Sequence, residues 1–256
     1  MERIKLTKEY ILNCLDKYCH FSKELCDNSS FADIIEPLQV ANCFEAGSWT
    51  WDSGVSKLVL IFSGINFVVK IPFVGEEEWE AYYDEETDEY IEEKSKYCFY
   101  PFHLDCAPDR VIDRYGSDNW DYCDIEVDRY NLASDRGLKE CFAKTEFLGW
   151  AQHYPIYIQE RAVMFNSDEE KTKRTSNKEF YELDSNKSKV DSLRQKSKLY
   201  IDEAWTLDFF FYYGEDMFEA LGKFCEEVDI DDLHCGNLGY INGRPCLVDY
   251  SSYYGI

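Results

Sequence analysis

One stretch constrains the fold of this chain more than any other, the sequence DIDDLHCGNLGYINGRPCLVDYSS at residues 229–252. Its second half is typical of a β-hairpin, because the Asn-Gly pair at 242–243 supplies the positive φ angles of a tight turn between two short strands. A hairpin brings its two ends together, so Asn237 and Asp249 are predicted to lie at adjacent positions. Asp232 precedes Asn237 by five residues, which adds another carboxylate at the same end.

Two carboxylates and an amide in this order suit phosphoryl transfer, where one carboxylate orients or deprotonates the accepting hydroxyl and oxygen ligands hold Mg²⁺ on the phosphates. The motifs DDLHCGN and CLVDYSS resemble the catalytic loop and metal-binding aspartate of the protein kinase-like superfamily. They are most similar to the form found in its aminoglycoside and choline phosphotransferase branch and in similar small bacterial and phage kinase-like proteins. The resemblance implies that Asp232 is the catalytic base and that Asn237 and Asp249 are the metal ligands. An ordinary surface hairpin with acidic residues that cap it is the alternative.

The same resemblance implies a role for a lysine near the end of the third predicted strand. FVVKIPF resembles the kinase strand whose lysine holds the α- and β-phosphates, which assigns this role to Lys70. A lone lysine at a strand end is commonplace, so the assignment rests on its order relative to the other motifs. The glutamate that pairs with it is expected on the following helix, where Glu126 is preferred and Glu140 and Glu146 compete.

Two further nucleotide contacts are implied by position along the chain. PIYIQERA resembles the strand and hinge whose backbone holds adenine, around Glu160 and Ala162, although a solvated turn fits these residues equally well. EAGSWTWDSGVSK lies between the first two predicted strands, where the glycine-rich loop belongs, and Gly47 is its expected phosphate contact. This stretch lacks the G-x-G-x-x-G spacing, and the chain has no Walker A motif.

The order of predicted elements indicates an α+β protein, and the resemblance implies a bilobal protein kinase-like fold with a β-rich N-terminal lobe and a mainly helical C-terminal lobe. We assign residues 1–162 to the first lobe and 163–256 to the second. The first lobe is predicted to contain a helix at 1–30, strands at 38–74, which begin with LQVANCF and form an antiparallel meander, and an acidic insert at 75–120 that forms a solvated helix or loop. A helix at 120–136 follows, with Asp118 or Asp121 as its cap and Gly137 as its stop, and then strands at 142–160. In the second lobe, a polar linker at 166–198 ends in a helix, and further helices and the hairpin follow. Only seven residues follow Asp249, so we expect this lobe to be shortened.

Composition narrows the environment and the partners. A hydrophobic content of 45% is typical of a globular protein, while a formal charge of −24 argues against unaided binding to nucleic acid or to an anionic membrane. No apolar run is long enough for a membrane span, and no signal peptide is evident. The eleven cysteines include no CxxC pair and are expected to be reduced, mostly buried thiols. We therefore expect a soluble, cytoplasmic protein.

These observations support two functional hypotheses. The first is an ATP- and Mg²⁺-dependent phosphotransferase whose acceptor, a small molecule or a protein, is left open. The second is a catalytically weak or inactive kinase-like scaffold that binds a basic protein partner through the acidic residues at 76–93, a hypothesis favoured by the poor glycine loop. A metal-dependent hydrolase is disfavoured, because it needs more histidine near Asp232 than the sequence supplies.

Overall fold

A computed structural model describes residues 6–19, 21, 31–44, 48–53, 57–84, 89–101, 122–152, 154–168 and 179–251. The helices are α1 (Lys8–Tyr18), α2 (Phe31–Val40), α3 (Tyr122–Asp135), α4 (Glu179–Ser197), α5 (Glu203–Tyr213) and α6 (Glu215–Glu227). The strands are β1 (Trp49–Ser53), β2 (Lys57–Phe62), β3 (Phe67–Asp84), β4 (Glu89–Pro101), β5 (Thr145–Ala151), β6 (Tyr154–Glu160), β7 (Val163–Met164), β8 (Leu238–Ile241) and β9 (Arg244–Leu247). The protein is therefore a mixed α+β protein, as predicted, with antiparallel pairing.

The chain divides into two compact units. The first contains Met1–Cys123 and Phe147–Ile158, and the second contains Asp124–Glu146 and Gln159–Ile256. The chain leaves the first unit for the last time after Ile158, close to the boundary that we placed at residue 162. The segment 124–146, which we had assigned to the first lobe, belongs to the second unit.

The first unit is built on an antiparallel meander of β1, β2 and β3, which the sequence predicted with a different first strand. Val59 of β2 lies opposite Lys70 of β3, and Gly64 (φ 73°) forms the turn between these strands. The run LQVANCF at 38–44 was predicted to be the first strand, and this prediction is wrong, because Leu38 lies in α2. Short apolar runs fit either structure, and the burial of Ile34, Ile35 and Leu38 has helical spacing.

The acidic insert differs most from its prediction. Residues 75–101 were expected to form a solvated helix or loop, yet β3 and β4 form a long antiparallel hairpin, with a pairing register that runs from Phe73↔Pro101 to Asp84↔Glu89. The sequence between the acidic residues is rich in aromatic residues, which favour strands. Residues 102–121 of the insert, together with the possible helix caps Asp118 and Asp121, lie outside the described residues.

Several local predictions in the second unit are confirmed. Gly137 (φ 75°) ends α3, with a hydrogen bond of 2.8 Å from the Leu138 amide to the Ala133 carbonyl. The hairpin β8–β9 turns at Asn242 (φ 53°) and Gly243 (φ 80°), and β7 adds a third strand to it. The linker predicted at 166–198 ends in a helix, as expected, and this helix is long, because it occupies residues 179–197.

The helix α4 is longer than its polar sequence suggested. Among the residues of this helix whose burial is described, Val190, Leu193 and Ser197 are buried, three and four positions apart, and this spacing packs one face against the core of the second unit. That core is aromatic and centres on Trp205, Phe209 and Phe218. None of the helices formed by the described residues combines the length and apolar character that a membrane span requires.

The thiols agree with their prediction in the part of the chain that the structure describes. Eight cysteines are resolved there as free thiols, and all of them except Cys235 are buried. Burial disfavours the charged thiolate, so it raises the pKa of the Cys141, Cys225 and Cys246 thiols to about 12.

Candidate functional site

The segment that carries the candidate catalytic residues leaves helix α6 through a sharp turn. Asp229 adopts a left-handed conformation (φ 60°), and the Ile230 amide donates a hydrogen bond of 2.8 Å to the carbonyl of Cys225. This six-to-one bond is the Schellman pattern that ends helices, and aspartate is one of the few residues besides glycine that tolerate the conformation. The chain therefore turns abruptly into residues 229–237, which we call the 229–237 loop.

Asp232 lies at the centre of a three-residue turn in this loop. The Leu233 amide donates to the carbonyl of Asp231 at 2.9 Å, which closes the turn around Asp232. The Asp232 side chain is 42% exposed, and its Oδ1 lies 3.8 Å from Nε2 of His234. The carboxylate is therefore accessible to a ligand from solvent, as a base must be.

His234 and Gly236 give the loop its shape. The Gly236 amide donates a hydrogen bond of 2.9 Å to Nδ1 of His234, so this nitrogen is the unprotonated one and Nε2 carries the proton of the neutral ring. A Cβ at position 236 would lie 2.6 Å from Cε1 of His234, closer than side-chain packing allows. The His-x-Gly pattern is thus explained by a backbone amide that must approach the imidazole ring directly.

Asn237 closes the loop. Its residue is 8% exposed, and its Nδ2 donates a hydrogen bond of 2.6 Å to the backbone carbonyl of Asp232. Nδ2 also lies 3.4 Å from the Asp232 carboxylate, and the Asn237 amide nitrogen of the backbone donates to the His234 carbonyl at 2.9 Å. Nδ2 donates to Asp232, so Oδ1, the other polar atom of the Asn237 side-chain amide, takes no part in this hydrogen bond.

The hairpin then returns Asp249 to the same end, as the sequence predicted. Leu238 pairs with Leu247, and the Val248 amide donates to the Asn237 carbonyl at 2.8 Å. Asp249 follows directly and accepts a hydrogen bond of 3.1 Å from Oγ of the buried Ser251. The structure therefore brings Asp232 and Asn237 into contact. The hairpin pairing sets Val248 opposite Asn237, and Asp249 is the next residue along the chain.

This donor set fits Mg²⁺ and does not fit zinc. Within the described part of the chain, no group of three or more His, Cys, Asp or Glu side chains is arranged to hold a metal ion. Mg²⁺ needs fewer protein ligands, since it takes one or two carboxylate or carbonyl oxygens and completes its shell with water and phosphate. The Oδ1 of Asn237 and the carboxylate of Asp249 are oxygen ligands of this kind.

A buried polar cluster behind Asp249 was missed by the sequence analysis, apart from Glu126. The carboxylate of the fully buried Glu126 accepts hydrogen bonds from Thr145 Oγ1 at 3.0 Å and from Gln159 Nε2 at 3.2 Å. Gln159 Nε2 also donates to the carbonyl of Val248 at 2.7 Å, and the Tyr250 hydroxyl donates to the Ala143 carbonyl at 2.8 Å. Polar residues inside otherwise apolar strands were the available signal.

Tyr250 is the residue that follows Asp249. Its ring is fully buried and packs edge-on against Phe142 at a centroid distance of 5.0 Å. Burial, reinforced by the nearby Glu126 carboxylate, raises the pKa of the Tyr250 hydroxyl well above its usual value. Tyr250 therefore anchors the chain directly after Asp249 in the core of the second unit.

The structure places Lys70 and the three glutamates that we considered as its partner at distinct positions. Lys70 is 4% exposed and lies in the fourth position of β3, so our placement of it near the strand end is wrong, since β3 continues to Asp84. Lys70 belongs to the first unit and Glu126 to the second, and their pairing stays a prediction. Glu140 is exposed and Glu146 is half-buried, and they form ion pairs with Arg244 (3.5 Å) and Lys144 (2.9 Å), respectively.

The expected adenine and phosphate contacts have different outcomes. Glu160 ends β6, where its backbone amide donates to the Lys144 carbonyl at 2.9 Å, and Ala162 follows in the connection to β7. Gly47 lies outside the described residues, and its phosphate contact stays a prediction. The connection between β1 and β2 is residues 54–56, which contain Gly54 and also lie outside the described residues.

A pocket of 880 Å³ opens beside the loop within the second unit. Asp231, Asp232 and His234 line one side of it, and Leu199 and Ile201 contribute apolar surface. Its volume is in the range that holds small-molecule ligands. Asp232 is thus accessible and lines a cavity large enough for a small molecule.

Three comparisons place this geometry against known proteins. Protein-family models, curated proteins and solved structures were each searched with the chain, and none of them matches it.

Proposed function

We propose that this chain is a kinase-like phosphotransferase that uses ATP and Mg²⁺ and acts on a hydroxyl acceptor. The observation that carries the proposal is the contact between Asn237 and Asp232 at the end of the hairpin that also carries Asp249. An accessible carboxylate next to a pair of oxygen ligands is the arrangement that phosphoryl transfer needs.

In this proposal Asp232 accepts the proton of the acceptor hydroxyl, because its carboxylate is exposed to the pocket of 880 Å³. Asn237 Oδ1 and the Asp249 carboxylate would hold the metal, which, when bound, neutralises the charge of the phosphates. The hydrogen bond from Asn237 Nδ2 to the Asp232 carbonyl fixes the loop that carries the base relative to the metal ligands. Lys70 keeps its assignment to the phosphates as a prediction from the resemblance.

The proposal is tested with purified protein and its Asp232→Asn and Asp249→Asn variants. Mg²⁺ and ATP at about 100 times the dissociation constant stabilise the folded state by about 2.7 kcal/mol, which corresponds to roughly 5–10 °C in Tm for a chain of this size. We expect Asp232→Asn to keep this shift and to lose about 10²–10⁴-fold in phosphate transfer, because it removes only the base. Asp249→Asn should lose the part of the shift that depends on Mg²⁺.

The exposed Asp191 of α4 provides the matched control, since Asp191→Asn makes the same chemical change away from the loop. It should retain both the thermal shift and the transfer activity. The proposal fails if the wild-type protein shows no shift with millimolar Mg²⁺ and ATP, or if Asp232→Asn transfers phosphate at the wild-type rate.

The long hairpin β3–β4 favours a second candidate function, a binding module for a basic protein. Its strands of 18 and 13 residues exceed the usual 3–10, and eleven of the residues at 76–93 are acidic. The register sets Glu80 opposite Glu93 and Asp84 opposite Glu89, and like charges at opposite positions destabilise a sheet. A cationic partner would relieve that repulsion.

The register permits a clean deletion of the acidic end of the hairpin. Trp79 and Lys94 are paired, so joining them through Asn-Gly in place of residues 80–93 retains the pairing of the remaining strands. If the hairpin binds a basic partner, this variant loses retention on a polylysine column or capture of a histone-like peptide, while Asp232→Ala keeps both. Equal retention by the deletion variant and the wild type would remove this second candidate.

A further inference from the structure

Arg129 of α3 links the two chain segments on either side of the candidate site. Arg129 is buried, with 9% of the residue exposed, and its hydrogen bonds described below all lie within the second unit. Nη1 donates a hydrogen bond of 2.5 Å to the carbonyl of Tyr250. Nη2 donates to the carbonyls of Val228 at 2.6 Å and Asp229 at 3.2 Å. One guanidinium group therefore joins the residue after Asp249 to the start of the 229–237 loop.

The chemistry of this contact is specific to arginine. Val228 and Asp229 end α6, where unsatisfied carbonyls carry the negative end of the helix dipole, so a cation is stabilised there. The planar guanidinium presents donors in a fixed fork and can reach carbonyls on two sides at once. A lysine in the same place keeps the charge but has a single nitrogen, so it cannot span the two segments.

The hairpin is a second connection between the two segments. Pairing of β8 with β9 fixes Asn237 relative to Val248, at the near end of the loop. Arg129 fixes the far end, where the loop begins at Asp229, relative to Tyr250. Asp232 lies between these two attachments, so its position relative to Asp249 depends on both of them.

We propose that Arg129 is a positioning residue, which holds the 229–237 loop at a fixed separation from Asp249 and thereby sets the affinity of the site for Mg²⁺ in the presence of ATP. The Mg²⁺ part of this inference rests on the proposed function. The positioning part rests on the three hydrogen bonds of Arg129 alone.

The test compares Arg129→Lys with Arg136→Lys in the full chain. Arg136 directly follows the last residue of α3, seven positions after Arg129, and pairs with Glu227 of α6 at the surface, so it also joins the end of α3 to α6, and its described contacts do not include the loop. Exposed ion pairs contribute little, so Arg136→Lys should behave as the wild type.

Hydrogen exchange is measured first, without any ligand. Arg129→Lys should accelerate exchange at least tenfold at the Ile230 and Leu233 amides, which form hydrogen bonds at the end of the loop that Arg129 holds, relative to the Thr206 amide in the core helix α5, while Arg136→Lys leaves the ratio unchanged. Equal acceleration at all three amides, or none, overturns the proposal, because Arg129 then contributes only to global stability. If Arg129→Lys does not fold, Arg129→Gln takes its place. Failure of both variants to fold also overturns it, since the arginine then holds the whole unit together.

Thermal shifts are measured second, over a Mg²⁺ titration at fixed ATP concentration. Arg129→Lys should need at least ten times more Mg²⁺ than Arg136→Lys for the half-maximal shift, with an unchanged shift by ATP in EDTA. The same Mg²⁺ requirement in both variants contradicts the link between Arg129 and the metal. Absence of any shift in the wild-type protein removes the proposed function instead, and hydrogen exchange still decides whether Arg129 positions the loop.

Discussion

The side-chain amide of Asn237 makes the contact that closes the 229–237 loop, and replacing it tests both the geometry and the proposed metal site. Asn237→Ala removes the donor that lies 2.6 Å from the Asp232 carbonyl, and one lost hydrogen bond of this kind lowers the free energy of unfolding by about 0.5–1.5 kcal/mol. Asn237→Asp keeps the shape but sets a carboxylate against the same carbonyl in an 8% exposed position. Asn237→Asp loses the same hydrogen bond and also buries an unpaired charge, so we expect it to lower the free energy of unfolding by about 2–4 kcal/mol.

These changes are measured as unfolding free energies in urea at pH 7 and at pH 4, in buffer without Mg²⁺. Each kcal/mol corresponds to roughly 2–4 °C in Tm for a chain of this size. The neighbouring carbonyl favours the protonated form of the introduced carboxyl group, so the deficit of Asn237→Asp should shrink as the pH falls. The exposed Asn242 provides the control, because Asp-Gly also suits the hairpin turn and Asn242→Asp should be nearly neutral.

The relative stability of the two Asn237 variants tests the loop geometry. Asn237→Asp should be less stable than Asn237→Ala at pH 7, and Mg²⁺ should recover stability in the aspartate variant but not in the alanine variant, because only the former keeps an oxygen ligand. If Asn237→Asp lies within 0.5 kcal/mol of the wild type at pH 7, roughly the scatter of surface substitutions, the contact with Asp232 does not exist and the loop geometry is refuted.

Three further predictions concern the second unit. Gly222→Ala on α6 brings a Cβ to 2.8 Å from Ser197 Cβ, so it should lower the free energy of unfolding by about 1–3 kcal/mol in spite of the better helix propensity of alanine. The control Lys223→Ala, at an exposed position, should not lower it. A Gly222→Ala protein as stable as the wild type would contradict the packing of α4 against α6. Buried thiols that ionise near 9 when unfolded have folded pKa values of about 12: Cys141, Cys225 and Cys246. Their stabilisation is complete below pH 9 and is lost between pH 9 and 12, by up to ~1.4 kcal/mol per pH unit for each thiol, so unfolding curves that do not change between pH 8 and 11 would rule this out. Among the cysteines whose burial is described, a thiol reagent followed by peptide mapping should label Cys235 first; slower labelling there than at the buried thiols would contradict its exposure.

The hairpin and its flanking residues could be predicted because their geometry is local. The turn at Asn242 and Gly243 is set by the φ angles that these residues tolerate, and the period-2 strands on either side carry Asn237 and Asp249 to one end. The end of α3 at Gly137 follows from the same kind of preference. In each case the information lies within a few residues of the feature.

The elements that were predicted wrongly depend on pairing with distant segments. The acidic residues at 75–101 have a composition typical of a solvated helix or loop, and only the register between β3 and β4 makes them strands. The first strand moved from 38–44 to 49–53 because Leu38 completes the buried face of α2. A short apolar run does not distinguish between these structures by itself.

The sequence by itself determined the order of the candidate groups Asp232, Asn237 and Asp249 and the turn that brings the last two together. Tertiary structure alone decided what surrounds them. Arg129 reaches Tyr250 across 121 residues, and Gln159 reaches Val248 across 89, and both act through backbone carbonyls that every residue possesses. Every residue has a backbone carbonyl, so a residue pattern does not predict these contacts. They nevertheless connect the segments that carry the loop and Asp249 to the rest of the second unit.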